Sequence, residues 1–144
     1  MPSQIATHRR QAFERQAGRC FYCQVRMWLT SPTELPVHSS HPAQYRALQC
    51  TAEHLQARSD GGSDRAENIV AACYYCNSTR HKRKRPPEPE TYLVLVESRV
   101  DRGAWHPKRV FELGLLPTKG GRSLPAGNNR GRDKNRTTGR QLRT

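Results

Sequence analysis

The chain has 144 residues, enough for one domain and a tail, and only 34% of them are hydrophobic. So small and polar a chain buries little apolar surface, and a structural metal is the usual compensation. The net charge of +13 indicates a polyanionic partner, most commonly nucleic acid. No apolar run approaches the roughly 20 residues that span a bilayer, and the N-terminal residues lack the apolar segment of a signal peptide. We therefore expect a cytoplasmic protein.

The first predicted elements are a helix and an irregular insertion. Residues 5–17 contain good helix formers with loosely helical apolar spacing, and Gly18 is a typical helix stop. Residues 30–42 carry three prolines among serines and threonines, which predicts irregular structure. His38 and His41 lie in this insertion, and we do not count them as metal ligands.

The central part of the chain predicts the order strand, loop, strand, helix. Residues 45–55 favour a strand, and residues 56–66 form a loop with two glycines able to take positive φ. Residues 68–72 form a short buried strand, and residues 74–85 a helix that two prolines stop. Residues 89–102 are predicted as a helix because a proline and a glutamate stand at its start, although their apolar centre also suits a strand.

Composition divides the chain into a domain and a tail. The predicted domain covers residues 1–117, with a core at 18–85 and a helical extension at 88–117. Residues 118–144 contain eight Lys/Arg and one acidic residue, a net charge of +7, with almost no apolar groups. Such a segment cannot bury enough apolar surface to fold alone, so we predict a disordered basic tail.

Four of the five cysteines form two Cys-x-x-Cys pairs, Cys20/Cys23 and Cys73/Cys76. Two such pairs supply the four thiolates of a tetrahedral structural zinc site. The odd number of cysteines and their spacing argue against a disulfide framework. A redox role for the thiols is the alternative interpretation. Cys50 is left over, and we expect it to be a small buried hydrophobe.

Between and after these pairs the polar residues follow a recognisable order. Glu53-His54 is followed by Asn68, then by Asn77 directly after the second pair, and then by Arg80-His81. This combination resembles the HNH endonuclease family of the ββα-metal superfamily, over roughly residues 20–85. The resemblance implies a small α+β fold, a ββα-metal nuclease core held by the four-cysteine zinc site and accompanied by flanking helices. It also implies metal-dependent hydrolysis of phosphodiester bonds.

His54 is the candidate general base. Phosphodiester hydrolysis requires a water to lose its proton as it attacks, and a histidine with a near-neutral pKa suits that step. The family assigns the matching histidine to this role; a structural histidine beside a strand end is the alternative. Because adjacent strand residues point to opposite faces, Glu53 and His54 can share a site only if the strand ends or bends there.

Glu53 and Asn77 match the metal-ligand positions of the family. Oxygen ligands favour Mg²⁺ or Mn²⁺ over zinc at the catalytic site. His81 lies one helical turn after Asn77 on the same face, so it is a candidate third ligand or a phosphate contact. The alternatives are a solvated acid for Glu53, a helix-capping amide for Asn77 and an ordinary exposed histidine for His81.

The remaining candidates are an amide and two arginines. The side chain of Asn68 can both donate and accept, which suits it to tie the loop between the strands and fix the backbone of His54. Arg80 falls where the family commonly has a basic residue and is a candidate phosphate clamp, with Arg58 as a weaker one. A solvated basic face is the alternative for both arginines. The run at residues 80–85, five Lys/Arg and one His, extends the helix with positive charge and would grip phosphates without reading sequence.

The leading hypothesis is a metal-dependent HNH endonuclease that cuts DNA, most readily double-stranded DNA. The alternative is a zinc-ribbon protein that binds nucleic acid without catalysis, and a nuclease or toxin directed at RNA also stays open. The carboxylate of Glu53 beside His54 and Asn77 favours the enzyme, because a pure binder would be weakened by a carboxylate next to a phosphate backbone.

Overall fold

The computed structural model describes residues 1–36 and 45–117. Two predicted features therefore lie outside the described residues: the histidines at positions 38 and 41, and the basic tail at residues 118–144. The division into a domain and a disordered tail stays a prediction.

The first helix, α1, spans Gln4–Arg15 and confirms the helix predicted at residues 5–17. The side chain of Ser3 caps its start by accepting a hydrogen bond from the backbone N–H of Ala6 at 3.1 Å. Ala17 and Gly18 then take positive φ values of 55° and 73°, which end the helix two residues earlier than expected. This reversal leads the chain directly into the first cysteine pair.

The sheet has two antiparallel strands, β1 at Cys50–His54 and β2 at Ile69–Cys73. The strand predicted at residues 45–55 is therefore only half right. The backbone N–H and the indole N–H of Trp28 bind the carbonyls of Leu48 and Tyr45, which holds residues 45–48 in a turn. The backbone bonds from Leu48 to Tyr45 and from Gln49 to Arg46 close the same turn, so this stretch does not continue the strand.

A helix follows β2 without a connecting loop. This helix, α2, spans Tyr74–His81, and the side chain of Cys73 accepts a hydrogen bond from the backbone N–H of Cys76 at its start. The predicted helix over residues 74–85 ends four residues early. Like charges at residues 82–85 repel one another along a helix, and the two prolines that follow disfavour helical backbone before them. The predicted order of strand, loop, strand and helix is confirmed.

Two further helices, α3 at Pro89–Asp101 and α4 at Lys108–Glu112, pack against this core. The buried residues of α3 recur at helical spacing, which resolves the choice between helix and strand. They are Tyr92, Leu93, Val96 and Val100. Single 3-10 turns occur at Pro32–Glu34, Arg58–Asp60 and Ala66–Asn68. Within the described ranges, no helix is long and apolar enough to span a membrane.

The described residues thus form a small α+β fold with a two-stranded sheet and four helices, as predicted. Strand β2 lies beside the end of α1. There the side chain of Gln16, the residue that follows α1, binds the backbone of β2. Its side-chain amide donates to the carbonyl of Ala71 at 2.8 Å and accepts from the N–H of Ala71 at 3.0 Å. A buried glutamine therefore substitutes for a third strand at the middle of β2.

We expect Gln16→Leu to destabilise the fold by roughly 1–3 kcal/mol, because the buried N–H of Ala71 loses its acceptor. Urea unfolding followed by circular dichroism measures this change. The exposed neighbour Gln11 provides the matched control, since Gln11→Leu removes the same amide from the surface. Equal stability of the two variants would contradict a structural role for Gln16.

Candidate metal and catalytic site

Four cysteine side chains meet in the interior of the fold. The sulfur atoms of Cys20, Cys23, Cys73 and Cys76 all lie within 4.8 Å of one another, and all four residues are fully buried. The first pair lies on the turn after α1, and the second joins the end of β2 to the first turn of α2. Four closely spaced sulfur ligands with no open position fit a structural metal such as zinc. The predicted grouping is confirmed, and Cys50 is buried outside it.

The pKa of one thiol favours metal binding. Burial works to raise the pKa of Cys73, but hydrogen bonds with the other three cysteines and with His106 outweigh it and hold that pKa well below its usual range. A thiolate is the form of cysteine that binds metal. Burial raises the pKa values of Cys23 and Cys76 well above their usual range, so the negative charge of the cluster is concentrated on Cys73.

Two side chains from the segment between α3 and α4 cover the sulfur cluster. The indole N–H of Trp105 donates to the sulfur of Cys76 at 3.2 Å. The Nε2 atom of His106 lies 3.3 Å from the sulfur of Cys23 and 3.7 Å from that of Cys73. Ring N–H groups directed at sulfur stabilise the thiolate form of a metal ligand. Sequence reasoning missed His106, because no spacing rule connects it to cysteines 33 and 83 positions away.

A second polar cluster forms around Glu53, whose side chain is only 1% exposed. Its Oε2 atom accepts hydrogen bonds from the hydroxyl of Tyr22 at 3.1 Å and from Nη1 of Arg80 at 3.2 Å. Its Oε1 atom lies 2.9 Å from Nε2 of His81. A buried carboxylate is costly unless it is paired and hydrogen-bonded, and here donors from two other parts of the chain provide both.

His54, the next residue on β1, contacts a different carboxylate. Its Nε2 atom lies 2.8 Å from Oδ1 of Asp64, and its side chain is 16% exposed. The strand β1 ends at His54, which meets the condition under which Glu53 and His54 can share a site. Nη1 of Arg80 joins the two groups, because it also donates to the backbone carbonyl of His54 at 3.1 Å.

Arg80, the candidate phosphate clamp, is bound inside the fold. The residue is 3% exposed, and its guanidinium is bound inside the fold. Besides Glu53 and His54, it donates to the carbonyls of Leu55 at 3.1 Å and Pro87 at 3.0 Å. These acceptors come from the end of β1 and from beyond the helix, where no local pattern predicts them, and the role as a phosphate clamp stays a prediction.

Asn68 ties the loop between the strands, as predicted. Its Oδ1 atom accepts from the N–H of Gln56 at 2.8 Å, and its Nδ2 atom donates to the carbonyls of Gln56 at 3.0 Å and Ser63 at 2.8 Å. Gly62 permits the close crossing of this loop, because a Cβ atom there would lie 1.8 Å from the carbonyl oxygen of Gln56. The loop that follows His54 is therefore fixed at both ends.

Asp64 is a functional candidate that sequence reasoning treated only as part of the loop. Both of its carboxylate oxygens accept from the guanidinium of Arg58 at 3.0 Å, while Oδ1 also contacts His54. The hydrogen bond with His54, followed by that with Arg58, lowers the pKa of Asp64 below its ordinary value. The candidate base His54 is therefore in contact with a charged carboxylate. Its position ten residues along a glycine-containing loop gave no signal of this pairing.

Asn77 and His81 lie one turn apart on α2, and both turn toward β1. The Nδ2 atom of Asn77 donates to Oγ1 of Thr51 at 3.0 Å and to the carbonyl of Ala52 at 3.3 Å. Its amide oxygen is then the atom it can offer to a metal. Glu53 and His81 are in direct contact, and Asn77 precedes His81 by one turn; their oxygen and nitrogen atoms are of the kind that a hard divalent cation accepts.

The surface beyond α2 is basic. The four consecutive residues at 82–85 are all Lys or Arg, and all are exposed. They follow directly on the helix that carries Asn77 and His81, so the candidate site opens beside a positively charged segment.

The comparison with known families agrees with this geometry. Residues 39–83 match the sequence model of HNH endonucleases, a range that contains both strands, the loop and α2. No curated protein and no solved structure matches the chain.

We expect loss of the sulfur-bound metal to unfold the domain. Zinc binding contributes roughly 10–16 kcal/mol in zinc-finger peptides, as much as or more than the ~5–15 kcal/mol that stabilises a typical domain. Cys76→Ser should lower the zinc content, measured by inductively coupled plasma spectrometry, and abolish the native circular dichroism spectrum. Cys50→Ser is the matched control, because Cys50 is equally buried but outside the cluster. A native spectrum in zinc-free protein would contradict a structural metal.

Proposed function

We propose that this chain, whose residues 39–83 carry an HNH endonuclease domain, is a metal-dependent endonuclease that hydrolyses phosphodiester bonds in double-stranded DNA. The observation that best supports the proposal is the buried carboxylate of Glu53 in contact with His81, one residue from His54. A protein that only bound nucleic acid would lose affinity by placing a carboxylate beside phosphates.

In this proposal His54 takes the proton of the attacking water. The carboxylate of Asp64 at Nε2 favours the tautomer in which that nitrogen carries the proton, which leaves Nδ1 as the acceptor. The backbone of the base is held as well, because Arg80 binds its carbonyl and that of Leu55. Asn68 further restrains His54 by fixing the loop that starts at Gln56, two residues after the base. A base held in one orientation needs little reorganisation as the reaction proceeds.

Glu53, Asn77 and His81 are the residues that would hold the catalytic cation. When bound there, Mg²⁺ or Mn²⁺ would supply Lewis-acid stabilisation of the phosphate and of the leaving oxygen. Arg80 keeps Oε2 of Glu53 occupied, so that Oε1 is presented on the side of His81. The side chain of His81 is 30% exposed, and the centre is therefore approached from its side.

The basic segments of the chain supply affinity for the DNA backbone. The exposed run at residues 82–85 lies beside the centre, and the sequence at 118–144 adds a net charge of +7. Such contacts release counterions from the phosphates and carry no sequence information. We therefore propose that these residues position the duplex, while the groups around Glu53 and His54 carry out the hydrolysis.

We expect His54→Ala to reduce cleavage of supercoiled plasmid by about 10²–10⁴-fold in Mg²⁺ or Mn²⁺, because a general base typically contributes that much. Gel analysis of nicked and linear products measures the rate. DNA affinity and the melting temperature of the variant serve as controls and should stay close to those of the wild type.

Other outcomes of this experiment would decide against the proposal. Equal cleavage by both proteins would exclude His54 as the base. Tight, salt-sensitive DNA binding by the wild type without any cleavage would favour the non-catalytic zinc-ribbon protein. Cleavage of RNA but not of plasmid would show a nuclease with a different substrate.

Replacing the eight Lys/Arg of residues 118–144 by Gln should weaken DNA binding and flatten its salt dependence, because each lost phosphate contact lowers the slope of log K against log salt by about 0.9. The cleavage rate at saturating DNA should be unchanged. Fluorescence anisotropy between 50 and 200 mM salt, roughly the range over which such contacts matter, measures the slope. An unchanged slope would contradict a DNA-binding role for these residues.

A further inference from the structure

One polar group at the candidate metal centre comes from outside the matched family region. Tyr22 lies between Cys20 and Cys23, on the turn that carries the first half of the sulfur cluster. Its side chain is fully buried, and its hydroxyl donates to Oε2 of Glu53 at 3.1 Å. A residue of the structural zinc site therefore touches a proposed ligand of the catalytic cation.

The ring of Tyr22 is fixed in place by its neighbours. It packs edge to face on Phe21, with ring centroids 5.1 Å apart, and on Tyr92, with centroids 4.8 Å apart. A phenol hydroxyl carries its proton at neutral pH, and the oxygen it contacts belongs to a carboxylate, which accepts. The hydroxyl is thus a constant donor aimed at one oxygen of the carboxylate.

The two oxygens of Glu53 have different surroundings. Tyr22 and Arg80 approach Oε2 from separate parts of the chain, whereas Oε1 faces His81. Two donors on one oxygen fix the rotation of the carboxylate more tightly than one donor would. The other oxygen is then turned toward the face of α2 that carries the remaining candidate ligands.

We propose that Tyr22 is a positioning residue of the catalytic metal centre, which orients Glu53 through its hydroxyl and so links the zinc-bearing turn to the cation. The inference rests on the proposed function, because it requires that Glu53 binds a divalent cation. The competing explanation is that the hydroxyl only satisfies a buried carboxylate. In that case its removal would change stability but not the affinity for metal at equal zinc content.

The test compares Tyr22→Phe with Tyr92→Phe in the full chain. Each change removes one buried hydroxyl and keeps its ring, and the hydroxyl of Tyr92 donates to the backbone carbonyl of Cys76 at 2.7 Å instead of to Glu53. Samples that contain one zinc per chain are titrated with Mn²⁺ alone, and the free cation is measured by electron paramagnetic resonance. Thermal melting of the same samples reports the loss of stability that both variants share.

We expect Tyr22→Phe to weaken Mn²⁺ binding by about tenfold or more, the usual effect of removing a hydrogen-bond partner of a metal ligand, and Tyr92→Phe to leave it unchanged. Plasmid cleavage by Tyr22→Phe should then require correspondingly more Mn²⁺ but reach the wild-type rate at saturation. This separation of cation affinity from maximal rate would not arise from a general loss of stability.

The remaining outcomes separate this inference from the proposed function. Unchanged Mn²⁺ affinity in Tyr22→Phe, or equal weakening in both variants, would overturn the role of Tyr22 and leave the nuclease proposal intact. Weaker binding in Tyr22→Phe alone, in a wild type that cuts no nucleic acid, would support Tyr22 and refute the nuclease. A wild type that binds no Mn²⁺ would overturn both.

Discussion

The four-cysteine cluster is the constraint on which the other parts of this fold depend. It joins the turn after α1 to the end of β2 and the start of α2, three segments that a chain with 34% hydrophobic residues could hold together only weakly. Because α2 starts at the second cysteine pair, the same cluster sets the direction in which Asn77 and His81 project. The four-cysteine cluster and the candidate catalytic groups are thus parts of one framework.

Glu53 is the second centre of organisation. Its carboxylate receives donors from the cysteine-bearing turn and from α2, so an isolated negative charge in the interior becomes a fixed, hydrogen-bonded group. Arg80 also hydrogen-bonds the backbone carbonyl of His54, and Asn68 hydrogen-bonds the loop that follows it. The geometry of the site is therefore set by buried hydrogen bonds that exist before any substrate is present.

The sequence predicted those features that depend on local spacing. Two Cys-x-x-Cys pairs predicted the four-cysteine cluster. The position of Asn68 at the end of a glycine-containing loop predicted that its side chain would hydrogen-bond across that loop. The pairing of Asp64 with His54 and the cover of His106 over Cys23 depend on tertiary approach, which spacing does not encode. The buried position of Arg80 was missed for the same reason, since its acceptors belong to β1 and to Pro87. Likewise, a strand was predicted too long because Trp28 binds residues 45–48 in a turn.

The cover formed by Trp105 and His106 has a consequence for protein synthesis. A ribosome delivers all four cysteines before it delivers this cover, because the last cysteine precedes it by almost thirty positions. The emerging chain can therefore bring its four sulfurs together while Cys23 and Cys76 still lack their contacts with His106 and Trp105. A metal ion bound at that stage would have fewer surrounding contacts than one bound after the two rings pack over the sulfurs. The order of translation would thus separate the binding of an ion from its retention.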